Sequence, residues 1–143
     1  MYIKKVIRPA RDDNGNIYEA DVIVSDGQNE ILCYYYSGYN CKFPDLAEGG
    51  KVEIIPALIM DSEITLADNK EYVIEKDKKD HFGYKKIQGE VIDIKKDEIL
   101  VKVGGLIIEA DKDELGKDLV ETVKKGDFVE FSVCRFDVNE DEL

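Results

Sequence analysis

Tryptophan is absent from the chain and histidine occurs once, at position 81. His-based acid–base chemistry therefore has one candidate, and it sits beside Asp80 in a stretch dense in both signs of charge, where a solvated role is expected. No G-x-S-x-G elbow and no phosphate-cradling glycine–lysine loop occurs. With no catalytic constellation in view, the expectation is a protein that is not an enzyme and needs no cofactor. Cysteine is scarce and odd in number. Cys33, Cys41 and Cys134 have neither the even count of a disulfide framework nor the tight C-x2-C spacing of a structural zinc site. No apolar run approaches the roughly 20 residues that a membrane helix needs. Residues 1–9 lack the long apolar stretch of a secretion signal, so no membrane partner and a cytoplasmic location are expected.

What the chain has in quantity is β-branched residues and acid. Isoleucine (16) and valine (13) far outnumber leucine (9). Their stiff side chains suit a pleated surface better than a helix. The formal net charge is −12, and the acidic excess is spread over both halves. Such a balance favours basic partners and opposes non-specific binding of nucleic acid, whose phosphates call for Lys and Arg.

Strands are expected at 2–7, 17–25, 30–36, 51–60, 87–94, 99–103, 106–110 and 128–136. Asn14-Gly15 and Asp26-Gly27 mark turns between the first three. Pro56 lies inside the fourth and implies an edge or a bulge, because proline has no N–H to give to a ladder. A hairpin is expected over 63–74, around Asp68-Asn69. One helix is expected, at about 113–125. Leu115, Leu119, Val120 and Val123 form a stripe, with Asp111 or Asp113 to cap its start and Gly126 to end it. Residues 76–86 read as a charged linker. This divides the chain into an N-terminal barrel-like half (1–75), the linker (76–86) and a C-terminal half (87–143).

The halves echo each other. Val22-Ile23 matches Val91-Ile92, Glu30-Ile31-Leu32 matches Glu98-Ile99-Leu100, and Gly49-x-x-Val52-Glu53-Ile54 matches Gly126-x-x-Val129-Glu130-Phe131. The first two matches lie 69 and 68 residues apart, the third 77. In the second half, three strands, a helix and a strand follow in order, which resembles an OB-fold, the small five-stranded Greek-key barrel. The resemblance covers about 87–138 and rests on element order. It implies a mostly β protein of two tandem OB-like barrels packed together, with one helix in the second half. No clear fifth strand follows in that half, and a strand from the first half would complete it.

The most distinctive segment runs from Cys33 to Cys41, with four of the eight tyrosines in six residues. In a strand, Tyr34 and Tyr36 share one face and Tyr35 takes the other. Tyr34, Tyr36 and Tyr39 are the candidate binding residues, since exposed tyrosine offers contact area and a hydroxyl at low entropic cost. Ordinary strand packing is the competing reading. Asp12 to Asn16 could offer oxygen ligands, but glycine is misplaced for a calcium loop and a turn explains the segment. The tail from Asp137 through Glu140, Asp141 and Glu142 is acidic.

The expected function is a non-catalytic acidic interaction module that binds a basic protein, as an inhibitor or immunity-type protein or an assembly subunit would. The alternative is single-stranded nucleic-acid binding through the barrels, with Lys85, Lys86, Lys95, Lys96 and Lys102 as a local basic stripe. An enzyme with paired carboxylates is the third reading.

Overall fold

The computed structural model describes residues 1–37 and 46–138, with backbone only at Leu58 and Ile59. Tyr39, Cys41 and the acidic tail beyond Val138 lie outside them. The described chain forms ten strands: β1 (Tyr2–Arg11), β2 (Ile17–Ser25), β3 (Glu30–Tyr36), β4 (Ile55–Met60), β5 (Thr65–Leu66), β6 (Val73–Lys76), β7 (Tyr84–Ile94), β8 (Glu98–Val103), β9 (Leu106–Asp111) and β10 (Phe128–Val138). Alternation sets their faces. In β8, Ile99, Val101 and Val103 are buried, and in β9 Leu106, Ile108 and Ala110 face the same core. Side-chain capping shapes the turns. The Asp12 carboxylate accepts the N–H groups of Asn14 and Asn16, and Gly15 takes the positive φ that the loop needs.

The strands β7, β8, β9, β4 and β10 close into a five-stranded barrel, because β10 pairs with β4 on one edge and with β7 on the other. Strand β4 comes from the first half of the chain. It runs parallel to β9 (Ile55 beside Ile108) and antiparallel to β10 (Ala57 beside Phe136). Its position between β9 and β10 corrects the edge expected from Pro56. The proline is the second residue of the strand, ahead of the β10 partners Ala57 and Ile59, so β10 loses no donor there.

The remaining strands do not stand apart. Strands β1, β2 and β3 form an antiparallel meander, and β3 runs parallel along the last residues of β10, with Cys33 beside Phe136. Tyr84, the first residue of β7, covers the step where β10 passes from β7 to β3. Its hydroxyl accepts the Leu32 N–H at 2.8 Å and its ring lies 5.6 Å from Phe136. The free edge of β1 meets the segment before β4. Gly49 donates to the Ile3 carbonyl, and Ile3 donates to that of Gly50. A like pair of bonds lies before β10, where Gly126 donates to the Val91 carbonyl and Val91 to that of Asp127. Gly49 and Gly126 both have positive φ. The described residues hold one closed barrel and a meander in a single ten-stranded sheet, with one continuous hydrophobic core.

Two local expectations also fail, each because tertiary partners claim the backbone. No α-helix forms among the described residues of 113–125. Asp111 caps a single 3-10 turn (Lys112–Glu114), after which Ile64 donates to the Glu114 carbonyl and accepts from Gly116. Beyond that tie only isolated helical bonds close, from Val120 to the Gly116 carbonyl and from Val123 to that of Leu119, and Leu115 and Leu119 still bury their side chains. The segment 63–74 is not a hairpin, since β5 pairs with β10 and β6 with β7. Residues 77–83 turn tightly between the paired strands β6 and β7, around the Lys76 ammonium, which donates to the carbonyls of Asp77, Asp80 and Gly83.

One carboxylate ties the two halves at their turns. Asp26 accepts the N–H groups of Gln28 and Asn29 in its own turn and the Gly105 N–H at 2.6 Å from the β8–β9 turn. Burial alone would raise its pKa, but these donors outweigh it and hold the carboxyl down at about 2. The folded pKa lies below the unfolded value of about 3.9, so the stabilisation is complete above that value and disappears as pH falls through about 2. Asp26→Asn is expected to lower stability by about 1 kcal/mol at neutral pH, discounted for solvent screening. Thermal melting of both proteins across an acid series checks it. The difference should shrink below about pH 4, and a constant difference would remove the carboxylate from the account.

Candidate interaction face

The alternation of β3 settles the tyrosines. Tyr35 is fully buried, Tyr34 is half-buried and Tyr36 is 52% exposed. The rings of Tyr34 and Tyr36 lie 6.5 Å apart and parallel to within 6°. Register places Asp21 of β2 on one side of Tyr34 and Asp137 of β10 on the other, with Glu19 beside Tyr36. Directly opposed residues on one sheet face have their side chains within reach of each other. The row therefore alternates acid and ring.

Cations from other elements fasten the row. Arg135 lies 4.6 Å over the Tyr34 ring and forms a two-point ion pair with Asp137, at 2.7 and 3.1 Å. That pairing raises the arginine's already high pKa. Arg8 and His81 both reach Asp21 Oδ2, at 2.8 and 2.7 Å. Arg8 has φ of 51°, in the left-handed region that non-glycine residues rarely adopt, at a break in the β1–β2 register before Pro9. The bulge re-aims the arginine onto Asp21. Phe82 meets the Tyr34 ring edge-on at 5.8 Å, and His81 packs on Phe82 at 4.5 Å. Burial raises the Tyr34 hydroxyl pKa, and the charge of Glu19 adds to the effect.

Of the three candidates from sequence, Tyr34 and Tyr36 come together on this face, and Tyr39 lies outside the described residues. Arg8, Phe82 and Arg135 escaped the sequence reading, and His81, for which a solvated role was expected, reaches Asp21 and packs on Phe82. The available signals were a proline inside a strand at Pro9 and one aromatic in an otherwise charged stretch at Phe82. Of the lysines named from sequence, Lys85 pairs with Glu75, Lys86 with Glu130, and Lys102 sits over the Tyr72 ring.

Burial pushes the Cys33 and Cys134 thiols up, so neither is a ready thiolate. No group of three or more metal-ligating side chains converges among the described residues. Nor is any helix among them long and apolar enough to cross a membrane. The fold and the face define a mostly β protein with a closed five-stranded barrel and an outward row of tyrosines braced by arginine. No family model matches the chain, and neither a curated protein nor a solved structure matches it.

Proposed function

We propose that the chain is a non-catalytic binding module that docks a basic protein on the Tyr34–Tyr36 face. The observation that carries this reading is Tyr36, an exposed ring held parallel to a braced neighbour and flanked by Glu19. Arg135, Phe82 and Asp137 fix Tyr34, so little side-chain freedom is left to lose on association. The charge of −12 adds long-range attraction for a basic partner. An inhibitor or immunity-type protein, or a subunit of an assembly, works in this way.

Affinity capture with nuclease present, at low and high salt, tests the proposal. The expected result is a basic protein that survives nuclease and is released by salt. Tyr36→Ala is expected to weaken capture by about 2 kcal/mol, roughly 30-fold. Its thermal midpoint should stay unchanged, since the ring is mostly exposed. Equal capture by the variant would remove the face from the interface.

A second reading has its own support in the strand order. A three-stranded meander closed through a strand parallel to its last member fits the Greek-key plan of OB-type barrels. The order β7–β8–β9–β4–β10 has that form, with β4 parallel to β9. So does β1–β2–β3–β10–β4, with β3 parallel to β10 and the residues before β4 returning to β1. On this reading the chain is two interlocked OB-like barrels that share β4 and β10. The Tyr34 face then lies on second and third strands, from which such barrels hold oligonucleotides. Captured material that vanishes with nuclease favours this reading over the first.

A further inference from the structure

A second cluster uses none of these residues and has the opposite electrostatic character. Lys70, Lys124 and Lys125 line a cavity of about 510 Å³, bordered by Phe128. Lys125 reaches Asp93 at 3.7 Å. Neither Lys70 nor Lys124 has a carboxylate within ion-pair distance among the described residues. Two other carboxylates, Asp68 and Asp127, also line the cavity. Asp127 is engaged, because its Oδ2 accepts the Lys124 backbone N–H at 2.9 Å. Beside the cavity, the Tyr72 ring lies 5.6 Å from that of Phe128, and Lys102 Nζ sits 6.0 Å above Tyr72. Tyr72 is 46% exposed. Positive charge and an open ring thus gather in one place on a chain of net charge −12.

Both backbone segments that present these groups are fixed from below. Gln88 is buried in β7, and its amide donates to Asn69 Oδ1 at 2.6 Å and to the Glu71 carbonyl at 2.9 Å. This anchors the loop that carries Lys70 and Tyr72. The turn that carries Lys124 and Lys125 is pinned by the bonds of Gly126 and Asp127 to Val91. A volume of this size falls in the range of small-ligand sites. Ammonium groups take phosphate oxygens, and an exposed tyrosine ring takes a planar base by stacking.

We infer that this cluster binds a nucleotide, its phosphate held by Lys70 and Lys124 and its base on Tyr72. The ligand is a free nucleotide or the end of a single strand, since both present the same ring and phosphate. The site shares no residue with the Tyr34–Tyr36 face.

The test is titration of the full chain, followed by the amide resonances, with adenosine monophosphate, adenosine, inorganic phosphate and an eight-residue oligothymidylate. The expected result is saturable shifts at Lys70, Tyr72 and Lys124 to Phe128, with a Kd of about 1 mM or tighter for adenosine monophosphate. Adenosine and phosphate should each bind at least about tenfold more weakly, through loss of one half of the contact. Tighter binding of the oligonucleotide at the same resonances assigns the strand as the source, and equal or weaker binding assigns the free nucleotide. Lys124→Glu should abolish the shifts, and Tyr72→Ala should reduce the advantage over phosphate. Tyr72 is exposed, so its variant remains foldable. No saturable shift, shifts confined to Tyr34 and Tyr36, or phosphate binding as tightly as the nucleotide would each overturn the inference.

Discussion

A fragment of residues 73–143 is expected to remain unfolded, although it contains four of the five barrel strands. Without β4 the facing edges of β9 and β10 lose their shared partner, and the buried side chain of Ile55 leaves the core. A row of unpaired backbone groups on two edges is costly, and it invites association with other chains. The remedy can be built from the register. Ala57 lies beside Phe136 in an antiparallel pair, so the end of β10 adjoins the start of β4. Antiparallel neighbours can be joined by a tight hairpin. Appending residues 55–62 after Val138 through an Asn-Gly turn is therefore expected to restore a cooperative melt and dispersed amide resonances. If the bare fragment folds cooperatively, β4 is dispensable and the account of closure is wrong. If neither folds, the meander is needed as well.

Phe136→Ala is expected to cost about 3–5 kcal/mol, the usual range for emptying a buried aromatic site. The side chain is fully buried in β10 at the point where β3 joins one edge and β4 the other, and Tyr84 packs against it. No single strand can shift to refill the space without breaking register with another. Against a total stability of about 5–15 kcal/mol, the loss removes a large share of the margin. Phe136→Leu keeps most of the volume and should cost about 1–2 kcal/mol. Denaturant unfolding of the three proteins separates the outcomes through the transition midpoint. A loss under about 1 kcal/mol for the alanine variant would mean that the junction repacks freely.

The sequence was most legible where one strand and its turn suffice to fix the outcome. Two short runs of β-formers flank Gly104-Gly105, and β8 and β9 appear within a residue of their expected bounds. Tyr34 and Tyr36 were legible as a pair for the same reason, since alternation alone places them on one face. Legibility ended where distant chain decides. The stripe of Leu115 and Leu119 suits a helix, but Ile64 takes the neighbouring backbone. Thr65 and Val73 look like two arms of a hairpin, yet each is claimed by a different long strand. The partners of the tyrosine row, Arg8, His81, Phe82 and Arg135, arrive from β1, the β6–β7 turn and β10. No local pattern announces such meetings.

The pairing of β3 with β10 brings together residues roughly a hundred positions apart, Cys33 with Phe136. During synthesis neither half can complete its core until β10 has left the ribosome, because that strand is a wall for both. The strands before β10 therefore keep open edges until it emerges, and pairings this distant slow the final search. Emergence of β10, not completion of the first half, sets the moment at which the sheet can close.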